Sequence, residues 1–434
     1  MKKLLLVFAM CGGVTFAVSG QDVGSTINRC GSYEVYQRML QSDPTFAKNR
    51  KSIEQFIENY TNNGTANMTS AVSAPVYTIP VVVHVVYNKA AQNISDAQVL
   101  SQIAVLNQDY QKLNADVSKV PSAWTNLVAD CQIKFCLATI DPAGNATTGI
   151  RRVKTNKPQF IDNDAVKFTS MGGDDAWPAA SYLNLWVCKL GNQLLGYAQF
   201  PGGSASTDGV VIAYTAFGNT GTVAAPYNLG RTATHEIGHW LNLFHIWGDD
   251  GGACTGSDKV KDTPNQGNRH FGCPTFPFVS CTNGPNGDMF MNYMDYTNDK
   301  CMFMFTNGQK TRMSATLVPG GSRNSVTVSG KCGTQPVSRT GSTAVNQNLL
   351  TVSPNPVNGN YANISYQLSK TAQVQLMILN MYGNVVASTN AGSQTAGSYQ
   401  LKPDAFSRLH NGIYVLKLVA NGEQLASVSF AVNK

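Results

Sequence analysis

The run THEIGHWLNLFH at residues 234–245 holds three of the chain's six histidines within eleven residues. On a helix, His235 and His239 lie one turn apart and point the same way, which suits two imidazoles that bind one zinc ion. A continuous helix would carry His245 to another side. The helix must therefore end and turn back, and Asn242 is where it can do so, because asparagine tolerates positive φ better than other non-glycine residues.

Glu236 places a carboxylate beside this predicted metal site. Such a carboxylate can take a proton from a zinc-bound water and pass it to a leaving amine, so Glu236 is the expected general base. It is the only glutamate between Glu58 and Glu423, which leaves His245 as the available third ligand. Three protein ligands leave one coordination position for water, the arrangement of a catalytic zinc site. The alternative is a buried helix that contains histidines for other reasons.

A second segment, NYMDY at residues 292–296, joins the histidines in a resemblance to a known family. The histidine pattern matches the metzincin zinc-peptidase signature except for Asn242 in place of the usual glycine, and residues 292–296 resemble the Met-turn of that family. The resemblance implies that Met294 forms an apolar floor beneath the metal. It also implies that Tyr296 stabilises the oxyanion with its hydroxyl. The alternative is that both are ordinary core residues.

Within the metzincins, residues 76–332 are most similar to the pappalysins, through the surroundings of Trp240 and Phe244, the cysteine-containing loop and residues 293–304. This resemblance implies an α/β (α+β) domain with a mixed five-stranded sheet, an active-site helix and an irregular lower half. It also implies structural calcium, with a solvated acidic loop as the alternative. The implied disulfides are Cys254–Cys281 and Cys273–Cys301, and the calcium candidates are Asp258, Asp262 and Thr263.

Cys30, in the segment Arg29-Cys30-Gly31, resembles the latency cysteine of some family members, whose thiolate occupies the open position on zinc. Nine cysteines follow the predicted signal peptide, so this role would leave eight for four bridges. A bridge from Cys30 to Cys332 and a free thiol are the alternatives. The sequence leaves open how Cys131, Cys136, Cys188 and Cys332 pair.

The specificity of the predicted peptidase is expected to depend on Lys300. By resemblance, family members that cleave before arginine or lysine carry an acidic residue just ahead of the cysteine that matches Cys301. This chain has Lys300 at that position, with Asp299 beside it. If Lys300 lines the S1′ pocket, which takes the residue after the scissile bond, it would repel basic side chains and favour neutral or acidic ones.

The segments that precede this domain point to export. Residues 1–20 have the lysines, apolar run and small residues of a secretory signal peptide; a membrane anchor is the alternative, but the run is shorter than the roughly 20 residues that a span needs. Residues 21–75 are expected to be a pro-region, with helices at 33–40 and 43–60 and then a polar linker. The alternative is a small independent helical domain.

Residues 348–434 follow a Ser/Thr/Gly-rich linker at 333–347 and alternate apolar with polar positions, which predicts a small antiparallel β-sandwich with a hairpin turn at Asn421-Gly422. The unit resembles the sorting domain of type IX secretion through the motifs SPNP, YGN and NGIY, which begin at residues 353, 382 and 411. The resemblance implies the secretion machinery as a partner and removal of the unit after export. A carbohydrate- or protein-binding sandwich is the alternative.

Composition narrows the class of function. Ten cysteines in an exported chain suggest bridges formed in an oxidising compartment, and the net charge of +7 is spread over scattered residues, which does not favour nucleic-acid binding. No segment after residue 20 is apolar enough to span a membrane. We therefore expect a secreted, monomeric zinc endopeptidase that is exported through the periplasm, made as a latent proenzyme and active on proteins or peptides at or beyond the cell surface. The rival is a surface binding protein that keeps a metal site without turnover.

Overall fold

The computed structural model describes residues 28–63, 76–332 and 350–434, apart from 356, 358–360, 369 and 381–384. The chain forms two compact units, Met1–Val337 and Ser338–Lys434. The predicted signal peptide, most of the polar linker of the pro-region, the linker at 333–347 and the YGN turn lie outside the described residues.

Two helices open the described chain, α1 (Ser32–Ser42) and α2 (Pro44–Asn63). Asp43 lies between them, and its carboxylate accepts hydrogen bonds from the N–H groups of Thr45 and Phe46 at 2.9 and 3.1 Å. It therefore caps α2, at the position where the sequence predicts a helix start. Both helices pack against elements of the domain that follows them.

A mixed sheet forms the centre of the first unit. Its strands are β1 (Tyr77–Tyr87), β2 (Ile133–Leu137), β3 (Ile150–Lys154), β4 (Leu183–Cys188), β5 (Gly196–Ala198) and β6 (Val210–Ala213). The order is β2-β1-β4-β6-β5, and β3 pairs with the second half of β1 while β2 pairs with its first half. Every pairing is parallel except that of β5 with β6. The mixed α/β class is confirmed. The sheet is five strands wide but contains six strands, because β2 and β3 pair with successive halves of the same side of β1.

The helices of this unit place the histidine segment against the sheet. Positions 79–86 of β1 are all buried, as expected for a strand covered on both faces. Helix α3 (Asp96–Tyr110) packs on β2, and helix α4 (Arg231–Trp240) packs on β5 and β6. Asp109 ties α3 to α4, since its carboxylate accepts hydrogen bonds from Thr234 Oγ1 at 2.7 Å and from Arg231 Nε at 2.8 Å.

The lower half of this unit is irregular and is held by covalent and ionic contacts. Residues 248–290 contain neither a helix nor a strand, and α5 (Asn307–Leu317) and the short α6 (Asn324–Thr327) follow. The disulfides Cys254–Cys281 and Cys273–Cys301 close this region. Inside it, the ring of His270 lies 3.1 Å from Asp288 and 2.8 Å from Asp295. Such contacts take the place of a core that this loop cannot form.

A third disulfide, Cys136–Cys332, joins β2 to the end of the first unit. It excludes the alternative bridge from Cys30 to Cys332. The expectation of four bridges is wrong for the part of the chain that the structure describes, because Cys131 and Cys188 are free thiols there. Both lie in the hydrophobic core, where they pack as small apolar side chains.

The second unit is all β and is described by itself. Its strands are β7 (Leu350–Ser353), β8 (Asn363–Leu368), β9 (Ala372–Asn380), β10 (Val385–Gln394), β11 (Gly397–Leu401), β12 (Gly412–Ala420) and β13 (Glu423–Val432). One sheet has the order β10-β9-β12-β13 and the other the order β11-β8-β7, all antiparallel. Asn421 and Gly422, with φ of +53° and +85°, form the tight turn between β12 and β13. None of the helices in the described ranges has the length and hydrophobicity to cross a membrane.

Candidate metal centre and active site

Four buried side chains from two distant parts of the chain converge on one point. The ligand atoms of Cys30, His235, His239 and His245 all lie within 4.8 Å of one another. Nε2 of His239 is 3.1 Å from Nε2 of both other histidines. Three imidazole nitrogens and a thiol that face one point are the donor set of a tetrahedral zinc site. This geometry fits a zinc ion.

The end of α4 brings the third histidine back to the first two. Asn242 has φ of +76°, and Leu243 donates its N–H to the carbonyl of Gly238 at 2.9 Å, so the chain reverses directly after the helix. A Cβ on Gly238 would lie 2.5 Å from Sδ of Met294. Met294 is therefore in close contact with the helix between the two histidines, and only glycine leaves room for it.

An acceptor orients each histidine ring through Nδ1. The acceptors are the carbonyl of Tyr293 for His235 at 2.7 Å, the carbonyl of Leu243 for His239 at 2.8 Å and the carboxylate of Asp249 for His245 at 2.7 Å. Because these acceptors draw the proton to Nδ1, each Nε2 is left with a free lone pair. Burial and the neighbouring histidines also lower the pKa of His235 and His239 well below the ordinary value, which keeps them neutral.

Asp249, which orients the ring of His245, is not among the residues predicted from the sequence. Its position four residues after His245 is the signal that would have identified it, since metal-bound histidines commonly donate their second N–H to a carboxylate.

Glu236 is fully buried beside the cluster. Its Oε2 accepts hydrogen bonds from the hydroxyl of Ser32 at 2.6 Å and from the thiol of Cys30 at 3.3 Å. Burial raises the pKa of Glu236 to about 7, against the lowering effect of these two donors. Ser32 lies 204 residues away in the chain, and nothing in the sequence pattern marked it.

Tyr296 closes the opposite wall of the cluster. Its hydroxyl donates to the main-chain carbonyl of Cys30 at 3.3 Å, so it already contacts a peptide carbonyl next to the metal ligands. Its ring lies edge-on to His245, with centroids 5.0 Å apart. Trp247 stacks on the face of His245 with ring centroids 4.2 Å apart, and its ring is 4.8 Å from that of Tyr296. The aromatic rings restrict how His245 can tilt.

The segment that carries Cys30 runs along the edge strand β5. Gly31 donates its N–H to the carbonyl of Gly196 at 2.9 Å, and Ala198 donates to the hydroxyl of Ser32 at 2.8 Å. Asn28 pairs in parallel with Leu194, just ahead of β5. The segment thus adds to the open edge of the sheet in the way that an extended peptide does.

Arg29 fills a buried pocket next to the cluster. Its side chain is 1% exposed, and its guanidinium lies 3.3 Å from the carboxylate of Asp299. The pocket is completed by Tyr227, whose ring is 4.5 Å away, by Thr232 and by the sulfur of Met302 at 3.0 Å. This pocket accepts a basic side chain.

Lys300 does not line that pocket. Its side chain is exposed, whereas Asp299 beside it is fully buried and points to Arg29. The two residues lie in one tight turn, Asp299–Cys301, which sends neighbouring side chains in different directions. Lys300 therefore does not reach the pocket of Arg29, and the acidic Asp299 faces that pocket instead.

The three calcium candidates lie together in the lower loop but have different contacts. Asp258 is buried and accepts hydrogen bonds from Thr263 Oγ1 at 2.8 Å and from the N–H of Val260 at 3.0 Å. Asp262 accepts from Thr306 Oγ1 at 2.6 Å and from the N–H of Gly308 at 2.8 Å, which places its carboxylate at the start of α5.

Two family models match the chain in separate regions. Residues 169–318 match the peptidase family described as pregnancy-associated plasma protein-A. Residues 351–430 match the family described as the secretion system C-terminal sorting domain.

Similar proteins are known from fungi and bacteria. An extracellular metalloprotease of Pyricularia oryzae is 31% identical, over 69% of this chain and 93% of that protein. One of Colletotrichum graminicola is 32% identical, over 71% of this chain and 95% of that protein. Among solved structures, a Tannerella forsythia promirolysin mutant is 48% identical with a TM-score of 0.63. The match covers 69% of this chain and 97% of the promirolysin chain. Mature mirolysin in complex with a cleaved peptide is 54% identical, with a TM-score of 0.58 and coverage of 59% and 97%.

Proposed function

The chain belongs to the pappalysin family of secreted zinc metalloendopeptidases, and we propose that the histidine cluster at the end of α4 is the active site of this peptidase. The observation that supports the site best is the convergence of three Nε2 atoms beside the buried carboxylate of Glu236. The chain is made as a latent proenzyme, and its C-terminal unit is a type IX sorting domain.

We propose that His235, His239 and His245 hold the zinc ion. A zinc ion there would polarise the carbonyl of the substrate and lower the pKa of a water molecule. Glu236 takes the proton of the attacking water and passes it to the leaving amine, since its Oε2 lies where a donor on the metal side can reach it. Tyr296 donates a hydrogen bond to the oxygen of the reacting carbonyl, as it now does to the carbonyl of Cys30.

We propose that the pro-region blocks this chemistry by occupying each of these groups. The thiol of Cys30 lies with the three histidines, in the position that water needs. Ser32 holds Oε2 of Glu236, and the carbonyl of Cys30 holds the hydroxyl of Tyr296. Removal of residues 21–75 would leave the catalytic domain at 76–332, followed by the linker and the sorting domain at 348–434.

We propose that the pocket of Arg29 is the S1′ pocket and that the enzyme cleaves before arginine or lysine. The carboxylate of Asp299 has no solvent exposure, and it also accepts hydrogen bonds from the N–H groups of Leu229 and Arg231 at 2.8 and 3.2 Å, so it is fixed in place. A fixed, buried carboxylate discriminates strongly in favour of a basic side chain. This preference replaces the neutral or acidic one expected from Lys300.

We propose a structural calcium ion at Asp258 and Thr263. Burial raises the pKa of Asp258 to about 7, and this carboxylate forms no ion pair with any described residue. A cation there would remove the cost of burying the charge. Asp262 fits less well, because both its oxygens already bond to the start of α5. A rise in melting temperature with calcium that Asp258→Asn abolishes would support the site, and an equal rise in the variant would exclude it.

The remaining proposals concern assembly and export. We propose that the enzyme is a monomer and that its sorting domain is removed after export. Sedimentation of the purified secreted protein would test the first proposal, and a dimer would contradict it. Mass spectrometry of the secreted chain would test the second, and an intact C terminus at Lys434 would contradict it.

The catalytic proposal is tested on the activated full-length protein, beside a Glu236→Ala variant. Each is incubated with a denatured, sequence-diverse protein mixture, and the new N termini are read by mass spectrometry. We expect new termini that begin with arginine or lysine, and none with the variant. An Asp299→Asn variant, which keeps the shape of the pocket, is expected to lose most of the preference for basic residues while it still cleaves.

Two outcomes would contradict these proposals. If neither protein cleaves although zinc is bound, the chain keeps a metal site without turnover, as a binding protein would. If the wild type cleaves mainly before neutral residues, the assignment of the Arg29 pocket as S1′ is wrong, while the peptidase itself stands.

A further inference from the structure

Glu54 of α2 is held by polar groups that belong to the catalytic domain. Nη2 of Arg312 lies 2.7 Å from both carboxylate oxygens of Glu54. Nζ of Lys259 lies 3.1 Å from Oε2, and Nδ2 of Asn242 donates to Oε1 at 2.9 Å. We call Arg312, Lys259 and Asn242 the basic recess. It stays with the enzyme when the pro-region leaves.

The basic recess is built to hold a negative charge. Burial would raise the pKa of Glu54, but Arg312, Arg50 and Asn242 lower it to about 2, so the carboxylate is ionised. The side chain of Arg312 is only 4% exposed, and Glu54 is its sole ion-pair partner among the described residues. Arg50 lies in α2 and departs with Glu54. Loss of the pro-region removes this partner and opens the guanidinium to the cleft, while Arg312 Nε still donates to the carbonyl of Asn242 at 2.9 Å, so the recess keeps a positioned positive charge that another carboxylate can bind.

A chain of packed aromatic rings joins the metal cluster to the basic recess. The ring of His239 is 5.3 Å from that of Phe200, which is 5.2 Å from the ring of Phe244. The guanidinium of Arg312 lies 5.2 Å from the centre of the Phe244 ring, and Nζ of Lys259 lies 5.5 Å from it. Three successive contacts thus lead from the metal cluster to the recess.

The direction of the pro-region shows on which side of the metal the recess lies. After Arg29 and Cys30, the chain passes Gly196 and then reaches Ala198 through Ser32, so it moves along β5 away from the Arg29 pocket. Residues 199–202 continue in that direction, and Arg50 and Asn49 of α2 bond to the carbonyls of Pro201 and Gly202. The recess and the Arg29 pocket therefore lie on opposite sides of the metal cluster.

We propose that the basic recess is a substrate subsite of the mature enzyme and that it binds an acidic side chain ahead of the scissile bond. This inference rests on the proposed function, in which the Arg29 pocket takes the residue after that bond. The path from His239 to Arg312 has three contacts of 5.2 to 5.3 Å. These contacts set the longest possible separation, and an extended peptide advances about 3.3 Å per residue, so the acid would lie about three to five residues before the bond.

The test compares pairs of peptides that differ only by glutamate or glutamine at one position. They are built on a sequence that the cleavage profile shows to be cut, and the exchange is made in turn at the third to the seventh residue before the scissile bond. The enzyme is the activated full-length protein, separated from its pro-fragment by gel filtration so that Glu54 does not compete. We expect kcat/KM to be about tenfold higher for glutamate at one of these positions, mainly through KM, as for a charge-assisted contact.

Three variants link this discrimination to the basic recess. Arg312→Gln is expected to abolish it, and Lys259→Met to reduce it severalfold. Lys261→Met is the matched control, because Lys261 is also an exposed lysine of the same loop but has no contact with Glu54. It is expected to leave the ratio unchanged.

Cleavage of the glutamine peptides measures the peptidase separately from the subsite. Equal kcat/KM for glutamate and glutamine at every position, in an enzyme that cleaves both, would overturn the proposal and leave the proposed function intact. An equal loss of discrimination in Lys259→Met and Lys261→Met would also overturn it, since that result would indicate general electrostatic attraction. If Arg312→Gln fails to fold, Lys259→Met decides, and full discrimination in that variant counts against the recess.

Discussion

Replacing Arg29 by alanine is expected to open the cleft of the proenzyme without unfolding the protein. The guanidinium lies 3.3 Å from the carboxylate of Asp299 and 4.5 Å from the centre of the Tyr227 ring. Alanine removes these contacts and leaves the main-chain hydrogen bond from Gly31 to Gly196 in place. The change therefore weakens one anchor of the pro-region and no part of the core.

The size of the effect follows from burial and from what remains around Asp299. Removing one partner of a buried ion pair typically costs about 3 to 5 kcal/mol. Asp299 keeps the hydrogen bonds from the N–H groups of Leu229 and Arg231, at 2.8 and 3.2 Å, so its charge is not left bare. We therefore expect a loss of about 2 to 3 kcal/mol, in the range of hydrogen bonds to charged groups. That corresponds to a rise of roughly 30- to 150-fold in the equilibrium constant for opening of the segment.

The assay is alkylation of Cys30 in the zinc-loaded proenzyme, with modified peptides counted by mass spectrometry. Cys30 is 1% exposed, so it reacts only when the segment opens. Cys131 and Cys188, both free and buried in the core, report global unfolding in the same sample. The parent and the Arg29 variant both carry Glu236→Ala, which removes self-cleavage. Arg29→Lys, which keeps the charge, is expected to give a smaller increase.

Equal alkylation rates for Cys30 in the parent and in Arg29→Ala would refute the argument, because they would show that the ion pair with Asp299 does not hold the segment. A parallel rise at Cys131 and Cys188 would refute it too. In that case the substitution would act on the stability of the whole domain.

Three further predictions concern single residues of the site and its support. Asp249→Asn is expected to weaken zinc binding about 10- to 100-fold in competition with a chelator, and an unchanged affinity would contradict its role at the third histidine. Tyr296→Phe is expected to lower kcat about 100-fold at nearly constant KM, and an unchanged kcat would exclude oxyanion stabilisation. Burial would lower the pKa of His270, but its hydrogen bonds to Asp288 and Asp295 raise it to about 9. The contribution of protonated His270 to the free energy of unfolding, about 2 to 3 kcal/mol, is therefore complete below about pH 6.5 and is lost as the pH rises through 9. His270→Asn should remove this pH dependence of the melting temperature.

The convergence of the three histidines could be predicted from the sequence because their geometry is local. The spacing of His235 and His239 sets two rings on one face of a helix, and Asn242 is one of the few residue types that can reverse the chain without strain. The contacts of Glu236 could not be predicted in this way. Its partner Ser32 is 204 residues away, and only the folded chain brings the two together.

The choice between Lys300 and Asp299 shows where counting along a sequence fails. Both residues stand just ahead of Cys301, and the sequence gives no reason to prefer one as the inward-facing side chain. The direction depends on a single turn, Asp299–Cys301, which is held by the hydrogen bonds of Asp299 to Leu229 and Arg231. Those partners lie about 70 residues earlier, so no local pattern contains them.

Two strands of the first unit lack the sequence pattern that would predict them. In β3 (Ile150–Lys154) two of the five residues are exposed arginines, and β5 (Gly196–Ala198) is only three residues long. Neither has the apolar alternation or the length that marks a strand. β5 begins with a glycine where it passes Glu236. A Cβ on Gly196 would lie 2.9 Å from Cγ of Glu236, so a larger residue would not fit there. The glycine that weakens the strand pattern of β5 is thus the residue that lets this edge strand approach the carboxylate of Glu236.

The positions of Arg29 and Glu54 also bear on how latency ends. One is anchored in the pocket at Asp299 and the other in the basic recess, on opposite sides of the metal cluster. A cut in the chain between residues 63 and 76 removes neither anchor, nor the main-chain pairing with β5. We therefore expect the cut pro-region to stay bound until both anchors open, and because the two anchors act on one continuous segment, losing either one should raise its rate of release. On this basis we expect dissociation of the pro-region, rather than cleavage of the chain, to set the moment at which Glu236 and Tyr296 become free to act.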